Sequence, residues 1–292
     1  MAQPNPPRQR RTRRLPLTLR EYEPARGVPL TLQQRDQLAT LAPSVSIAPS
    51  AGSVDRYDLT PGSWVGVVHL TDLDIVIRPK VELDRLLFMM SYSLGHIRDL
   101  ESMVSLEEAD DLPEAIVMGF VRLTSRALAR GVQQGYRTID DSSLTLRGRL
   151  RVGDQIRRRY GPMPPAEVTY DEFTVDIELN RLLLAATERL SRIRFRSEAS
   201  RAGLRGIRAR LEGVSLVPYD PRRLPVVGFD RLNERYRDAV TLARLILGSA
   251  SFDLGHGDAP ATAFLIDMNR VFEDFVVEAL RDALGSDVGV LV

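Results

Sequence analysis

The chain begins without an apolar pattern and acquires one only at residue 17. Residues 1–16, MAQPNPPRQRRTRRLP, hold four prolines and a run of arginines with almost nothing to bury, so a disordered basic tail is expected. LTLREYEP then reads as a first strand, Gln33–Leu41 as a short helix, and Ser44–Ile47 and Val54–Leu59 as short strands. SWVGVVHL and DIVIR are β-rich apolar runs separated by polar residues around Thr71 and Asp72, the pattern of a hairpin. Pro79 has no N–H to give to a sheet, so the second strand should stop at Arg78.

Beyond Pro79 the period changes from strand to helix. Leu83, Leu86, Leu87, Met90 and Leu94 share one helical face, and Gly95 suits its end. Asp110 or Asp111 can cap a helix that has Pro113 in its first turn and runs to Gly131. Leu144–Val152 is a candidate strand, YGPMPP a rigid turn, and Val168–Tyr170 a further short strand. Three apolar stripes at helical spacing follow. The first is Leu179, Leu182, Leu183, Ala186, Leu190 and Ile193. The second is Leu204, Ile207 and Leu211, and the third runs Phe229, Leu232, Tyr236, Val240, Ala243, Leu247 to Gly248. DLGHGD reads as a loop, and a last helix carries Leu265, Met268, Phe272, Phe275 and Ala279 before Gly285. There is no internal repeat.

Bulk composition alters this little. At 292 residues, 43% hydrophobic and 27% charged, the chain is an ordinary globular one with a large domain or two. No apolar run nears the roughly 20 residues a membrane helix needs. No signal-peptide segment follows the basic start, so a cytoplasmic protein is expected. With no cysteine, disulfides, thiolate zinc sites and thiol catalysis are excluded.

Charge distribution says more than the net value of +1. Arginines cluster in residues 1–20, in Arg147–Tyr160 (RGRLRVGDQIRRRY) and in Arg189–Arg210. Such blocks suit a polyanion or an acidic protein surface. For Arg147, Arg149, Arg151, Arg157, Arg158 and Arg159 two readings stand level. They contact phosphates or an acidic partner, or they form a solvated face with internal ion pairs. In Arg189–Arg210 they read as the polar side of helices.

Lys80 is the chain's one lysine, and it follows Arg-Pro where a phosphate-binding P-loop requires glycine. A Walker-type nucleotide site is therefore excluded. A PD-(D/E)xK nuclease needs an acid two residues before its lysine, and that position holds Arg78. Asp72 and Asp74 read as turn residues. His69, His96 and His256 lack metal-ligand spacing: His69 reads as structural in its strand, His256 as part of a solvated loop. No nucleophile-elbow motif is present.

Four stretches in order resemble the McrC family of modified-cytosine-dependent restriction systems. They are YDLTPGSWVGVVHLTDLDIVIRPKVELDRLLFMMSY with its I-x-P-K ending, LRGRLRVGDQI, YDEFTVDIELNRLL with the E-x-T-x-D-x-x-x-N pattern, and FLIDMNRVFEDFVVEAL. The resemblance spans about Leu17 to Leu284. It implies an α+β chain in four parts. These are a tail (1–16), a β-rich N-terminal domain (17–105), a mainly helical middle (106–255) and the opening helix of a PD-(D/E)xK nuclease-like domain (256–292). It further implies docking on a McrB-like AAA+ GTPase ring, stimulation of GTP hydrolysis, and delivery of a cleaving module to double-stranded DNA bearing modified cytosine. GTP would sit on the partner and Mg²⁺ in the nuclease part, with no cofactor in this chain.

No D…(D/E)-x-K follows the FE helix before Val292, so only Glu273 and nearby Glu278 are candidates for the nuclease region. Either the sequence is truncated before the catalytic acids, to which the apolar VGVLV at its end points as a nuclease-core strand without neighbours, or this version has lost catalysis. Matching the family's P-K, Lys80 beside Arg78 would contact the ring or a phosphate; the alternative is a junction lysine pairing with Glu82 or Asp84. The competing reading of the whole chain is a stand-alone arginine-rich DNA-binding or regulatory protein with no GTPase.

Overall fold

In the computed structural model, residues 16–41, 44–70, 72–93, 112–159, 164–195, 197–248, 250–253 and 262–284 are described. The chain divides into two compact units. One is Met1–Ser93 with Ala109–Pro113 and Ala250–Val292; the other is Leu94–Glu108 with Glu114–Ser249.

In the first unit the expected hairpin forms from β5 (Trp64–Leu70) and β6 (Leu73–Arg78), paired antiparallel from Gly66–Ile77 to Leu70–Leu73. Asp72 turns the corner at φ 58°, a conformation that aspartate tolerates better than most side chains. The first strand, β1 (Leu17–Arg20), lies parallel to β6, with Leu17 opposite Ile75. A second sheet has the order β2-β4-β3, from β2 (Ala25–Pro29), β3 (Val45–Pro49) and β4 (Arg56–Pro61). Between β2 and β3 lies helix α1 (Leu32–Ala39). Thr31 opens it by accepting the Gln34 N–H at 3.2 Å while the Gln34 side chain takes the Thr31 N–H at 3.0 Å. Leu19, Leu38, Leu41, Leu59, Val68, Ile75, Ile77 and Leu265 fill the core. Helix α2 (Leu83–Ser93) buries Leu86, Leu87 and Met90, as its period predicts.

Leu265 corrects the sequence reading. It lies in strand β11 (Thr262–Asp267), and the last helix starts only at Met268. AFLI is buried at every position, so the strand lacks alternation and its apolar run merges with the helix that follows. β11 pairs antiparallel with β5 on one side and with β10 (Ala250–Asp253) on the other. The sheet order is thus β1-β6-β5-β11-β10. The segment placed in a separate 256–292 module instead contributes a strand to the N-terminal sheet, because β5 offers β11 a full row of backbone partners.

The second unit holds α3, of which Leu112 and Pro113 belong to the first unit and the remainder, to Ala127, to this one. A 3₁₀ turn (Leu128–Arg130) and Gly131 at φ 91° end it where sequence placed the stop. Then come β7 (Gly135–Ser143), β8 (Arg149–Leu150), α4 (Val152–Arg159), β9 (Ala166–Thr174), α5 (Glu178–Ser191), α6 (Glu198–Arg210) and α7 (Arg237–Gly248). The predicted stripes of α5 and α6 are buried, and α5 packs on α6 and α7.

The helices are accompanied by a sheet of order β7-β9-β8, whose β9 contains the short strand expected at Val168–Tyr170. Two expectations fail in this unit. The strand expected at Leu144–Val152 shrinks to Arg149–Leu150, and Val152 opens α4. Phe229 and Leu232 precede the third helix, because the Asp230 carboxylate takes the N–H of Leu232 and Asn233 and fixes a turn there.

The basic tail to residue 15, Gly95, His96, Asp110, Asp111, His256 with its loop, Gly285 and the terminal VGVLV lie outside the described residues. Among the described residues, no helix is long and apolar enough to cross a membrane. The last described helix is α8 (Met268–Leu284).

Candidate functional site

Because β1 and β6 run parallel, their C-terminal ends emerge side by side and set up a polar junction around Lys80. The Glu21 N–H donates to the Arg78 carbonyl at 3.0 Å, and the Lys80 N–H donates to Glu21 Oε2 at 3.2 Å. Glu21 is only 7% exposed, and burial raises its pKa. The hydrogen bond and charge of Lys80 oppose that rise, and the charge of Asp267 adds to it. Tyr22 sits at φ 58°, an uncommon conformation for a bulky residue, held by its N–H bond to Pro61 O at 3.1 Å. Its hydroxyl donates to Asn269 Oδ1, and the Lys80 ammonium stands 4.7 Å from its ring centroid. Asp267 in turn takes Ser63 Oγ–H and the Asn269 N–H.

The junction therefore brings Lys80 onto Tyr22. Glu82 faces Arg85 at 3.9 Å instead, and among the described residues Lys80 makes no ion pair with Glu82 or Asp84. Arg78 is exposed at the end of β6. Glu21, Tyr22 and Asn269 escaped the sequence reading, since a left-handed tyrosine leaves no signature.

The second arginine block lies on a two-stranded ribbon. β7 and β9 pair over their full length, from Gly135–Thr174 to Ser143–Ala166. One ribbon face carries cross-strand side-chain pairs. Tyr136 and Phe173 meet tilted with ring centroids 5.2 Å apart, Thr138 Oγ–H donates to Asp171 at 2.7 Å, Thr169 to Asp140 at 2.5 Å, and Ser142 to Glu167 at 2.7 Å.

The chain between the strands folds back as a small lobe of β8 and α4. Gly148, at φ 68°, permits this: a Cβ there would lie 2.3 Å from the Thr169 carbonyl oxygen. Arg147 lies over the Tyr170 ring at 3.6 Å and 3.2 Å from Asp141. Arg151 meets Asp140 and Asp154, Arg157 meets Asp154, and Arg158 and Arg159 meet Glu167. Arg149 is exposed, opposite Thr169 in the sheet, with no ion pair among the described residues. Five of the six candidate arginines are thus matched by acids that the ribbon and lobe supply.

The lobe is also inside out. Gln155 of α4 is buried, and its side chain takes the Glu167 N–H at 2.7 Å. Leu144 (82% exposed), Leu146 (68%), Val152 (57%) and Ile156 (60%) face outward. Four apolar side chains of one small lobe are thus left to solvent.

The E-x-T-x-D-x-x-x-N residues of the third quoted stretch serve the fold. Asp176 receives Arg181 Nε and Nη2 at 2.7 Å each, Arg137, and the N–H and hydroxyl of Ser215 at 2.9 Å. The Arg181 bond foremost holds its carboxyl far below the usual range; burial opposes, and Ser215 helps. Asn180 Nδ2 donates to Gln133 O at 2.8 Å and Val175 O at 2.6 Å, fixing the start of α5.

Glu273 is exposed on α8, and Glu278, five residues on, pairs with Arg281 at 3.1 Å. Five residues set them about 140° apart around the helix, so they do not converge on an ion. Among the described residues no group of three or more His, Asp or Glu could hold a metal. This chain's described residues therefore do not fit the Mg²⁺ expected of a nuclease. His69 is buried and bound to Asp74 at 2.8 Å, in line with a structural histidine.

The family of McrBC 5-methylcytosine restriction system components matches residues 59–291. The chain belongs to this family. That membership bears out the McrC resemblance of the quoted stretches. Among solved structures, a chain of the cryo-EM McrBC complex of Thermococcus gammatolerans is similar at 21% identity and TM-score 0.54, over 93% of this chain and 88% of that one. A second is a half-complex from a tetradecameric assembly of Thermococcus gammatolerans McrB AAA+ hexamers with bound McrC. It is similar at 20% identity and TM-score 0.54, over 92% of this chain and 71% of that one. At such identities the likeness speaks to the mixed α and β fold. No curated protein matches.

Proposed function

We propose that this McrBC-family chain is the McrC-type subunit, which docks on a McrB-like AAA+ GTPase ring and stimulates its GTP hydrolysis. The observation that carries the reading is the inside-out lobe. Leu144, Leu146, Val152 and Ile156 leave water only against another protein, and burying each contributes about 1.5–3 kcal/mol. The balanced charge beneath them favours a protein over DNA. Phosphates are gripped by unpaired cations, whereas here Arg147, Arg151, Arg157, Arg158 and Arg159 already have acids.

GTP belongs to the partner, since the sequence has no P-loop. Double-stranded DNA with modified cytosine is reached through the complex, and the cleaving module lies outside the described residues. Lys80, fixed over Tyr22, is a second contact with the ring.

The test is GTPase stimulation of a cognate ring by Leu146→Asp/Ile156→Asp and, separately, by Lys80→Ala. The double variant loses stimulation by at least about tenfold with unchanged ellipticity; full stimulation by it refutes docking through the lobe. Unchanged stimulation by Lys80→Ala rejects that contact.

A further inference from the structure

The lobe is held to its ribbon in an unusual way. Across the described residues of 135–174, only Val168 is a buried apolar side chain, so no hydrophobic core joins the two parts. What joins them is polar. The central group is the Glu167 carboxylate, 2% exposed, which takes Ser142 Oγ–H at 2.7 Å from the ribbon. From α4 it takes Arg158 at 3.2 Å, with Arg159 at 3.8 Å. Arg151 reaches Asp140 at 3.4 Å, and the Arg151 N–H donates to the Glu167 carbonyl at 2.7 Å. Arg158 is well exposed beyond its contact with Glu167, so its attachment is open to competition from other carboxylates. Segments with few buried apolar contacts open at the low end of the local-stability range.

We propose that β8 and α4 form an ionic latch. The lobe comes off the ribbon as a unit when carboxylates of a protein partner take over Arg151, Arg158 and Arg159. The outward Val152 and Ile156 favour a protein as the competitor over a nucleic acid, whose backbone offers them nothing to pack on. The identity of that partner rests on the docking reading above; the latch itself is a property of the free chain. Docking and release are then one event, because the groups that hold the lobe are those the partner claims.

Hydrogen exchange on the 292-residue chain tests this without any ring. Raising NaCl from about 0.1 M to about 1 M cuts the screening length from about 10 Å to about 3 Å. Exchange of amides 151–159 then speeds through the partly exposed Arg151–Asp140 pair, while the Glu167 contacts are screened less. Glu167→Gln, and independently Arg158→Gln, speed it by at least about tenfold at low salt, while α5 stays protected. Poly-glutamate, used as the probe, opens the lobe at low salt. Equal rates in 151–159 under all these conditions, or acceleration only together with α5, overturn the latch. Duplex DNA opening the lobe as well as poly-glutamate overturns the protein partner. A lobe that opens as stated, in a chain whose Leu146→Asp/Ile156→Asp variant still stimulates the ring, refutes docking and leaves the latch standing.

Discussion

Replacing Asp176 isolates what the D and N of the third stretch do. Its two oxygens serve Arg181 twice, Arg137 once and Ser215 twice. The carboxylate is 11% exposed and the Arg181 side chain 17%, so neither is readily rehydrated once its partner goes. Removing one partner of such a pair costs about 3–5 kcal/mol, so Asp176→Ala should lose that much. Asp176→Asn keeps a neutral acceptor for Ser215 and should lose about half as much.

Urea unfolding followed by far-UV ellipticity reads the loss. A cycle with Arg181→Met should return a coupling of about 0.5–3 kcal/mol. The pH dependence has a definite sign. The folded pKa lies below the unfolded value of about 3.9, so the stabilisation is complete above that value. It fades as pH falls through the folded pKa, and the gap between wild type and Asp176→Ala closes on acidification. A loss under about 1 kcal/mol at neutral pH, or a gap that acid leaves open, refutes the account.

Gly66→Ala should destabilise the first unit by about 2–4 kcal/mol. Gly66 sits at φ 143°, and a Cβ would lie 2.1 Å from the Phe264 carbonyl oxygen. The fluorescence of Trp64, the chain's single tryptophan, reports it from the same strand. Tyr219 is half-buried and donates to Glu178 at 2.7 Å, so partial burial first and this bond second push its pKa up. Its contribution to stability is present below the unfolded value of about 10 and is lost only as pH rises through the higher folded value. Alkaline difference spectra of wild type and Tyr219→Phe should therefore coincide until the fold is lost.

What could be read from sequence follows from where burial is one-sided. The β5–β6 hairpin, the stop at Arg78 and the stripes of α2, α5 and α6 each bury one face, and each announces itself by period. β7 does not. GYRTIDDSS alternates half-buried and exposed positions but mixes polar and apolar residues on both faces, so its strand character rests on cross-strand partners that a single segment cannot reveal. The same holds for the arginine block. Its neutralising acids Asp140, Asp141 and Glu167 lie outside RGRLRVGDQIRRRY, and only the fold-back at Gly148 unites them. β11 fails for the opposite reason: buried on both faces, it carries no contrast.

The position of β11 governs how the protein can be made. β5 is translated early but gains its second neighbour only once Thr262–Asp267 has left the ribosome. Until then the nascent N-terminal strands hold an open edge while the whole intervening unit is synthesised and folds. A chain released before residue 262 would carry that edge permanently, a template for self-association, and its synthesis should depend on chaperones that the finished protein no longer needs.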